Sequence, residues 1–416
     1  MKISEIKPAI IEAARRAEQK CAEQFRQADA VAEANTLKVM AAFQDNRVSE
    51  NCFAGTTGYG YDDLGRDTLD KIYANIFHTE AALVRINFVN GTHALSAGLF
   101  ALCKPGQTIL SATGLPYDTL RNSLGIEGDC FGSLAFYGID YAQVDFLPDG
   151  EPDYAGIADA CRNEKVGAVI IQRSRGYDDR KALTVEEIGR IVSAVKAVRP
   201  GINVMVDNCY GEFTDTVEPS DVGADLIAGS LIKNPGGGLA PTGAYLAGKQ
   251  ELIDRAAYRL TCPGIGGECG STLGNNRLLY QGLFMAPHIV AQALKTAIFC
   301  AALMDELGYD SSPAYDEKRS DIIQMVRLGS PEKMEKFCLG IQSGAPVDSY
   351  VAPVPWAMPG YNCPVIMAAG AFIQGSSIEL SADGPIREPY IVYMQGGLTY
   401  ESGKLGVMMA ASALSE

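Results

Sequence analysis

The chain has 416 residues, 47% of them hydrophobic and 20% charged, enough to bury a large core without disulfides and too apolar for wholesale disorder. Its 35 basic and 50 acidic residues leave a net charge of −15, which repels nucleic acid and anionic membrane at long range but leaves room for a small anion in one local positive pocket. Eleven Cys with no C-x-x-C pair, and only three His, argue for reduced thiols in a cytoplasmic protein and against a protein-built metal site.

The first fifty residues read as helix, with Ile6, Ile10, Ala14, Ala17, Cys21 and Phe25 at steps of three and four. The opening MKISEIKPAI lacks the apolar core of a signal peptide. A Gly/Tyr-rich loop, Gly55 to Gly65, precedes a second helix over Asp67–Phe77. From about residue 80, strand-length apolar runs alternate with helical stretches: Leu83–Val89, Thr108–Ser111, Val166–Ile171, Ile202–Val206, Asp225–Ala228 and Gly243–Ala247. Strands separated by helices imply a mainly parallel sheet covered on both faces, with ligands beyond the carboxyl ends of its strands. A long helix over Leu283–Leu307 then runs through Pro287. Residues 345–384, rich in Pro, Gly and short strands, suggest a smaller α/β domain. The expected division is 1–50 (helical segment), 51–299 (large domain) and 300–416 (small domain). No apolar run reaches the ~18 residues of a membrane helix; the longest candidate is Cys363–Ile373.

Four features fall just after predicted strands. Asn90-Gly91-Thr92 opens a helix, where free N–H groups and the positive dipole end suit a phosphate; alone, it reads more readily as a plain Thr cap. Asp207 ends an apolar strand, where a poorly solvated carboxylate needs a cationic partner or serves as a cap. Lys233, between Ala-Gly-Ser230-Leu-Ile and Asn-Pro-Gly-Gly-Gly, reads as a buried amine of depressed pKa, a type that forms Schiff bases. Ser230, three residues earlier, is placed to hold a phosphate beside it. Tyr117 follows Thr108–Ser111, where an aromatic can stack on a flat ring or fill a turn.

G-A-D-x-x-x-x-S-x-x-K, with an Asp 26 residues before the Lys, resembles the pyridoxal-phosphate site of fold-type I enzymes of cysteine and methionine metabolism. More closely, the chain resembles the aluminium-resistance or methionine γ-lyase-like family. The ordered segments GYGYDDLGRDTLD, GTHALS, GLPYDTL, QRSRGY, GSLIKNPGGG, PGIGGECG, QGLFMAPH and SSIELSADGPIREPY carry that resemblance. It implies an α/β fold of the pyridoxal-phosphate-dependent transferase type: a large domain with a mainly parallel seven-stranded sheet, and a smaller C-terminal α/β domain. It also implies a pyridoxal 5'-phosphate cofactor, with Lys233 as the Schiff-base lysine and Asp207 as partner of the pyridinium nitrogen. Tyr117 would stack on the ring, and Gly91, Thr92 and Ser230 would hold the phosphate. Tyr61 and Arg66 would reach the phosphate of a neighbouring subunit, so a homo-oligomer, dimer or tetramer, with shared active sites is expected. Arg387 is the expected clamp for the substrate α-carboxylate. Arg175 and Tyr59 are further substrate-binding candidates, and Arg173 lies near the site without an assigned role.

The activity this implies is carbon–sulfur lysis of a sulfur amino acid to a 2-oxo acid, ammonia and a thiol, with β- and γ-elimination equally open. Residues around Trp356, Met358 and Tyr361, with Tyr59 and Tyr61, are the expected pocket determinants. Three other readings compete. Ser230-Leu-Ile-Lys233 fits the S-x-x-K pattern of acyl-serine hydrolases, but no S-D-N or K-T-G accompanies it. Transamination, γ-replacement or aldol cleavage would share cofactor and scaffold. Direct metal binding through Asp62-Asp63 or Asp178-Asp179 would need several more oxygen ligands.

Overall fold

Two helices, α1 (Pro8–Lys20) and α2 (Ala22–Asp45), open the computed structural model, which describes residues 2–127, 131–358 and 361–415. Ile10, Ala14, Ala17 and Cys21 form the buried stripe expected of them, and they join a core with Phe299, Phe337 and Val407 from the other end of the chain. Helix α3 (Leu64–Ile76) begins three residues before the predicted start. Asp63 is its N-cap, with Oδ1 accepting from the Arg66 N–H at 2.9 Å.

Strands and helices then alternate: β1 (Ala81–Arg85), α4 (Gly91–Leu102), β2 (Thr108–Ser111), α5 (Asp118–Leu124), β3 (Asp140–Gln143), α6 (Tyr154–Ala160), β4 (Val166–Gln172), α7 (Val185–Val198), β5 (Asn203–Asp207), β6 (Leu226–Ser230), β7 (Ala244–Gly248) and α8 (Gln250–Leu260). They build one seven-stranded sheet in the order β1-β7-β6-β5-β4-β2-β3. The pairs from β3 to β6 are parallel, whereas β7 is antiparallel to both β6 and β1. Strand β1 therefore points the same way as β6, and its carboxyl end lies on the same edge of the sheet. The strand missing from the sequence reading is β3, a half-exposed edge strand with charged and polar ends. Leu95 and Leu99 of α4 and Leu252 and Ala256 of α8 cover one face of the sheet. Leu69 and Ile72 of α3 and Ile188 and Ile191 of α7 cover the other.

The 31-residue helix α9 (Asn276–Glu306) passes through Pro287 without breaking. It is long and apolar enough to cross a membrane by length and composition, more than the short runs of the sequence suggested, but its most apolar 18-residue window is 78% buried within the protein. Its first part, from Leu279 to Leu294, packs in the core of the large sheet. Its last part, from Ala297 to Met304, packs in the core shared with α1.

Beyond it lie β8 (Ser311–Ser312), β9 (Ile323–Arg327), α10 (Pro331–Gly344), β10 (Val365–Ala368), β11 (Ser381–Pro385), β12 (Ile391–Gln395) and α11 (Tyr400–Leu414). These strands form an antiparallel sheet ordered β10-β11-β12-β9-β8. One face packs on α10 and α11. The other presents Ile323, Met325, Ile391 and Tyr393 to Tyr177 and Tyr210, which follow β4 and β5 of the large sheet. The second sheet thus faces the carboxyl edge of the first.

Candidate active site

Between those two surfaces lies a cavity of about 300 Å³. The large sheet contributes Gln172, Asp207, Cys209, Ser230 and Lys233; α4 contributes Gly91 and Thr92; the start of α5 contributes Tyr117. Six of the sequence-predicted residues, Lys233, Asp207, Tyr117, Gly91, Thr92 and Ser230, therefore share one cavity.

Lys233 leaves the end of β6 on a segment anchored on both sides. Leu231 is buried before it, and the buried Asn234 donates to the Glu212 carbonyl at 2.9 Å. The lysine Nζ lies 3.9 Å from the centre of the Tyr210 ring. Burial pulls the Lys233 pKa down, but the acidic groups around it, Cys209, Tyr210, Asp207 and Tyr117, outweigh burial, and the net direction is up. That direction is opposite to the depressed amine expected from the sequence. Of these neighbours Asp207 is the natural anion at neutral pH, since burial pushes the Cys209, Tyr210 and Tyr117 groups up.

Asp207 is the last residue of β5, and its Oδ1 accepts from the Cys209 N–H at 3.1 Å. Burial raises its pKa, with Lys233 opposing from across the cavity. Among the described residues it has no ion-pair partner within contact distance, which leaves a carboxylate suited to a ring N–H⁺. At the opposite end, the N-cap Asn90 satisfies the His93 N–H at 2.8 Å, so the Gly91 and Thr92 N–H groups remain for a ligand. A Cβ at Gly91 would sit 3.1 Å from that of Ser230, so glycine keeps this cradle open. The Thr92 hydroxyl and Tyr117 phenol are 3.1 Å apart, and the Tyr117 N–H donates to Gln172 Oε1 at 3.0 Å. Amine, carboxylate, aromatic ring and anion cradle fit pyridoxal phosphate as a donor set.

The remaining candidates lie elsewhere. Arg387 is exposed and Arg175 fully buried, and both line an adjoining cavity that shares Tyr117, Asp118, Gln172 and Tyr177 with the first. Among the described residues, the Arg175 guanidinium reaches only Met325 Sδ (3.4 Å) and Ser312 Oγ (3.3 Å), and its Nε has no partner. Arg173 is a structural tie, buried against Asn208 (2.7 Å), Thr214 (3.1 Å) and Glu218 (3.5 Å). Tyr59 and Tyr61 stack on one another at the surface, 5.5 Å between ring centres, outside the cavity of their own chain. Arg66 is buried and donates to the carbonyls of Gly60, Gly270 and Glu268 within its own chain.

Of the other expected pocket residues, Tyr361 lines the cavity, whereas Trp356 and Met358 do not. Asp63 serves as a helix cap, and Asp179 pairs with Arg327. The Ser230 hydroxyl makes no hydrogen bond to the Lys233 amine, as an acyl-serine hydrolase would require.

Sequence reasoning missed Asp383 and Gln395 of the second sheet, and Tyr177, Tyr210 and Tyr393, all of which line the Lys233 cavity. Only Asp383 carried a usable signal, as a charge within a strand of otherwise small, buried residues.

The profile of the methionine gamma-lyase family matches residues 10–415. A structure from Clostridium novyi NT, described as a carbon-sulfur lyase involved in aluminium resistance, is 54% identical with a TM-score of 0.94, covering 98% of this chain and 96% of that one. The uncharacterised Bacillus subtilis protein YnbB is 49% identical over 94% of this chain and 93% of its own. The fold extends to the pyridoxal-5'-phosphate-dependent protein YhfS of Escherichia coli, at 18% identity, a TM-score of 0.62 and coverage of 94% and 97%. With a family match that spans nearly every residue and a sheet order built around a strand-end lysine, this chain is a member of the methionine gamma-lyase family and carries the fold type I architecture of pyridoxal-phosphate enzymes.

Proposed function

We propose that the protein is a pyridoxal-phosphate-dependent carbon–sulfur lyase that converts a sulfur amino acid to a 2-oxo acid, ammonia and a thiol. The observation that carries this reading is the single amine, Lys233, in one cavity with the Asp207 carboxylate and the N-terminus of α4. When bound, the cofactor supplies an electron sink for the charge left at the substrate Cα. The Gly91 and Thr92 N–H groups and the Ser230 hydroxyl would hold its phosphate, Tyr117 would cover one ring face, and Asp207 would keep the ring nitrogen protonated. Lys233, as a free amine, would take a proton from the substrate Cα and return it along the side chain. Arg175, a buried guanidinium with no carboxylate beside it, suits the substrate α-carboxylate better than the exposed Arg387.

We further propose a homo-oligomer in which the exposed Tyr59 and Tyr61 of one subunit complete the site of another. The test is direct. Loaded protein should absorb in the visible, borohydride should fix a pyridoxyl group on Lys233, and sulfur amino acids should yield 2-oxo acid and thiol together. Oxo acid formed only with an added amino acceptor would make it an aminotransferase.

A further inference from the structure

The wall of the cavity opposite Asp207 carries a second carboxylate. Asp383, in the middle of β11, is buried and lines the cavity. Its Oδ2 accepts from Gln395 Nε2 at 3.0 Å, and the Tyr177 hydroxyl is within hydrogen-bonding reach. Both donors are neutral, so among the described residues this carboxylate has no ion-pair partner. Burial lifts its pKa to about 7, against the opposing influence of Tyr177, the Lys233 charge and Gln395.

Aromatic rings surround it. Tyr177 lies 5.2 Å from Tyr393 and 5.6 Å from Tyr361, centre to centre, and Tyr210 lines the same wall. Aromatic faces grouped around a carboxylate are a receptor for a positive charge. The Lys233 amine lies 3.9 Å from the centre of the Tyr210 ring on this same wall. In the proposed reaction Lys233 is committed to the cofactor, which leaves the substrate side chain as the source of a cation for this wall.

We infer that Asp383, with Tyr177, Tyr210, Tyr361 and Tyr393, is a specificity subsite for a positively charged group on the substrate side chain. The inference rests on the lyase reading above and narrows it to substrates with a cationic tail. Two chemistries supply such a charge, a distal ammonium and a sulfonium centre. A neutral thioether tail would leave Asp383 without a partner.

The test uses the pyridoxal-phosphate-loaded protein. Binding of L-lysine and L-norleucine, which differ at the tail and carry no sulfur leaving group, is measured by calorimetry. Turnover is compared for L-cystathionine, S-methyl-L-methionine and L-methionine. Lysine should bind on the order of 10–100-fold tighter than norleucine, the usual worth of one charge-assisted hydrogen bond. Asp383→Asn should shrink that ratio towards one. A parallel preference for cystathionine over methionine assigns an ammonium, and a preference for S-methyl-L-methionine over methionine assigns a sulfonium. Equal affinity for lysine and norleucine in the unaltered protein, which needs no variant to fold, overturns the inference. So does an Asp383→Asn effect that is the same for charged and neutral tails, because that marks a role common to all substrates. Failure of the lyase reading is seen separately, as no joint release of 2-oxo acid and thiol from any sulfur amino acid by the unaltered protein.

Discussion

Asp63 is a buried carboxylate and Asp207 a partly buried one, and their surroundings push them in opposite directions. Asp207 receives a single backbone N–H bond and is raised by burial, which leaves it ready for a cationic ring nitrogen. Asp207→Asn should keep the fold and still accept cofactor, but slow turnover by about 10²–10³-fold, the loss typical of one charge-stabilising group; steady-state kinetics beside the visible spectrum would separate the two effects. For Asp63, burial is outweighed by donors from Thr272, Thr56, the Arg66 N–H and Asn276, and its pKa is lowered. A lowered folded-state pKa means that the unfolded chain binds the extra proton. The stabilisation is therefore present above the unfolded value of about 4 and is lost as pH falls through the folded one. Asp63→Ala should cost roughly 2–3 kcal/mol at neutral pH, and the gap in denaturation midpoint from the unaltered protein should narrow below about pH 4. Lys233 and Asp207 were legible in the sequence because each ends an apolar run at the place where parallel sheets bind ligands. Asp383 showed only as a charge among small residues, since its place in the site comes from the meeting of two sheets that are distant along the chain. The direction of the Lys233 pKa was misread for the same reason: its flanking residues announce burial, whereas the opposing anion lies on another strand.

Among the elements, the α10–α11 pair is the most tightly specified. A Cβ at Gly340 would overlap the backbone of Ala410, and one at Gly344 would meet Gly406 Cα at 2.7 Å. Small residues at both crossings let the helices touch along their backbones over the buried Phe337, Ile341 and Val407. Gly340→Val should force them apart and cost about 1–3 kcal/mol, seen as a lower denaturant midpoint with an unchanged slope. Cofactor binding at Lys233 should persist under native conditions, because this face of the second sheet points away from the cavity. Six of the seven strands of the large sheet were readable as apolar runs, to within a few residues at their ends. The antiparallel direction of β7 was not, because direction is set by the connection and leaves no mark in an apolar run. Gly340 and Gly344 carried no readable signal either; in a helical stretch, glycine looks like a weak point until the partner helix is known.

For the molecule as a whole, the exposed apolar residues beside the Tyr59–Tyr61 stack, Phe53, Leu64 and Leu273, belong to a surface that a second copy would cover in the proposed oligomer. Light scattering should give a dimer or larger assembly, and Tyr61→Ala should lower turnover without removing the pyridoxyl label from Lys233. A strict monomer with full activity would refute the shared-site proposal. The sequence-based division of the chain places a boundary after residue 299, inside α9. That helix serves the core of the large sheet along its first part and the core beside α1 along its last. The cores on either side of the cavity are therefore strung on one continuous rod, and neither can melt without exposing the other's end of it. Heating should give one calorimetric transition in place of two. The same rod ties together the cores on either side of the cavity, so under the proposed reading the spacing from Lys233 to Asp383 would set the tail length that the site accepts.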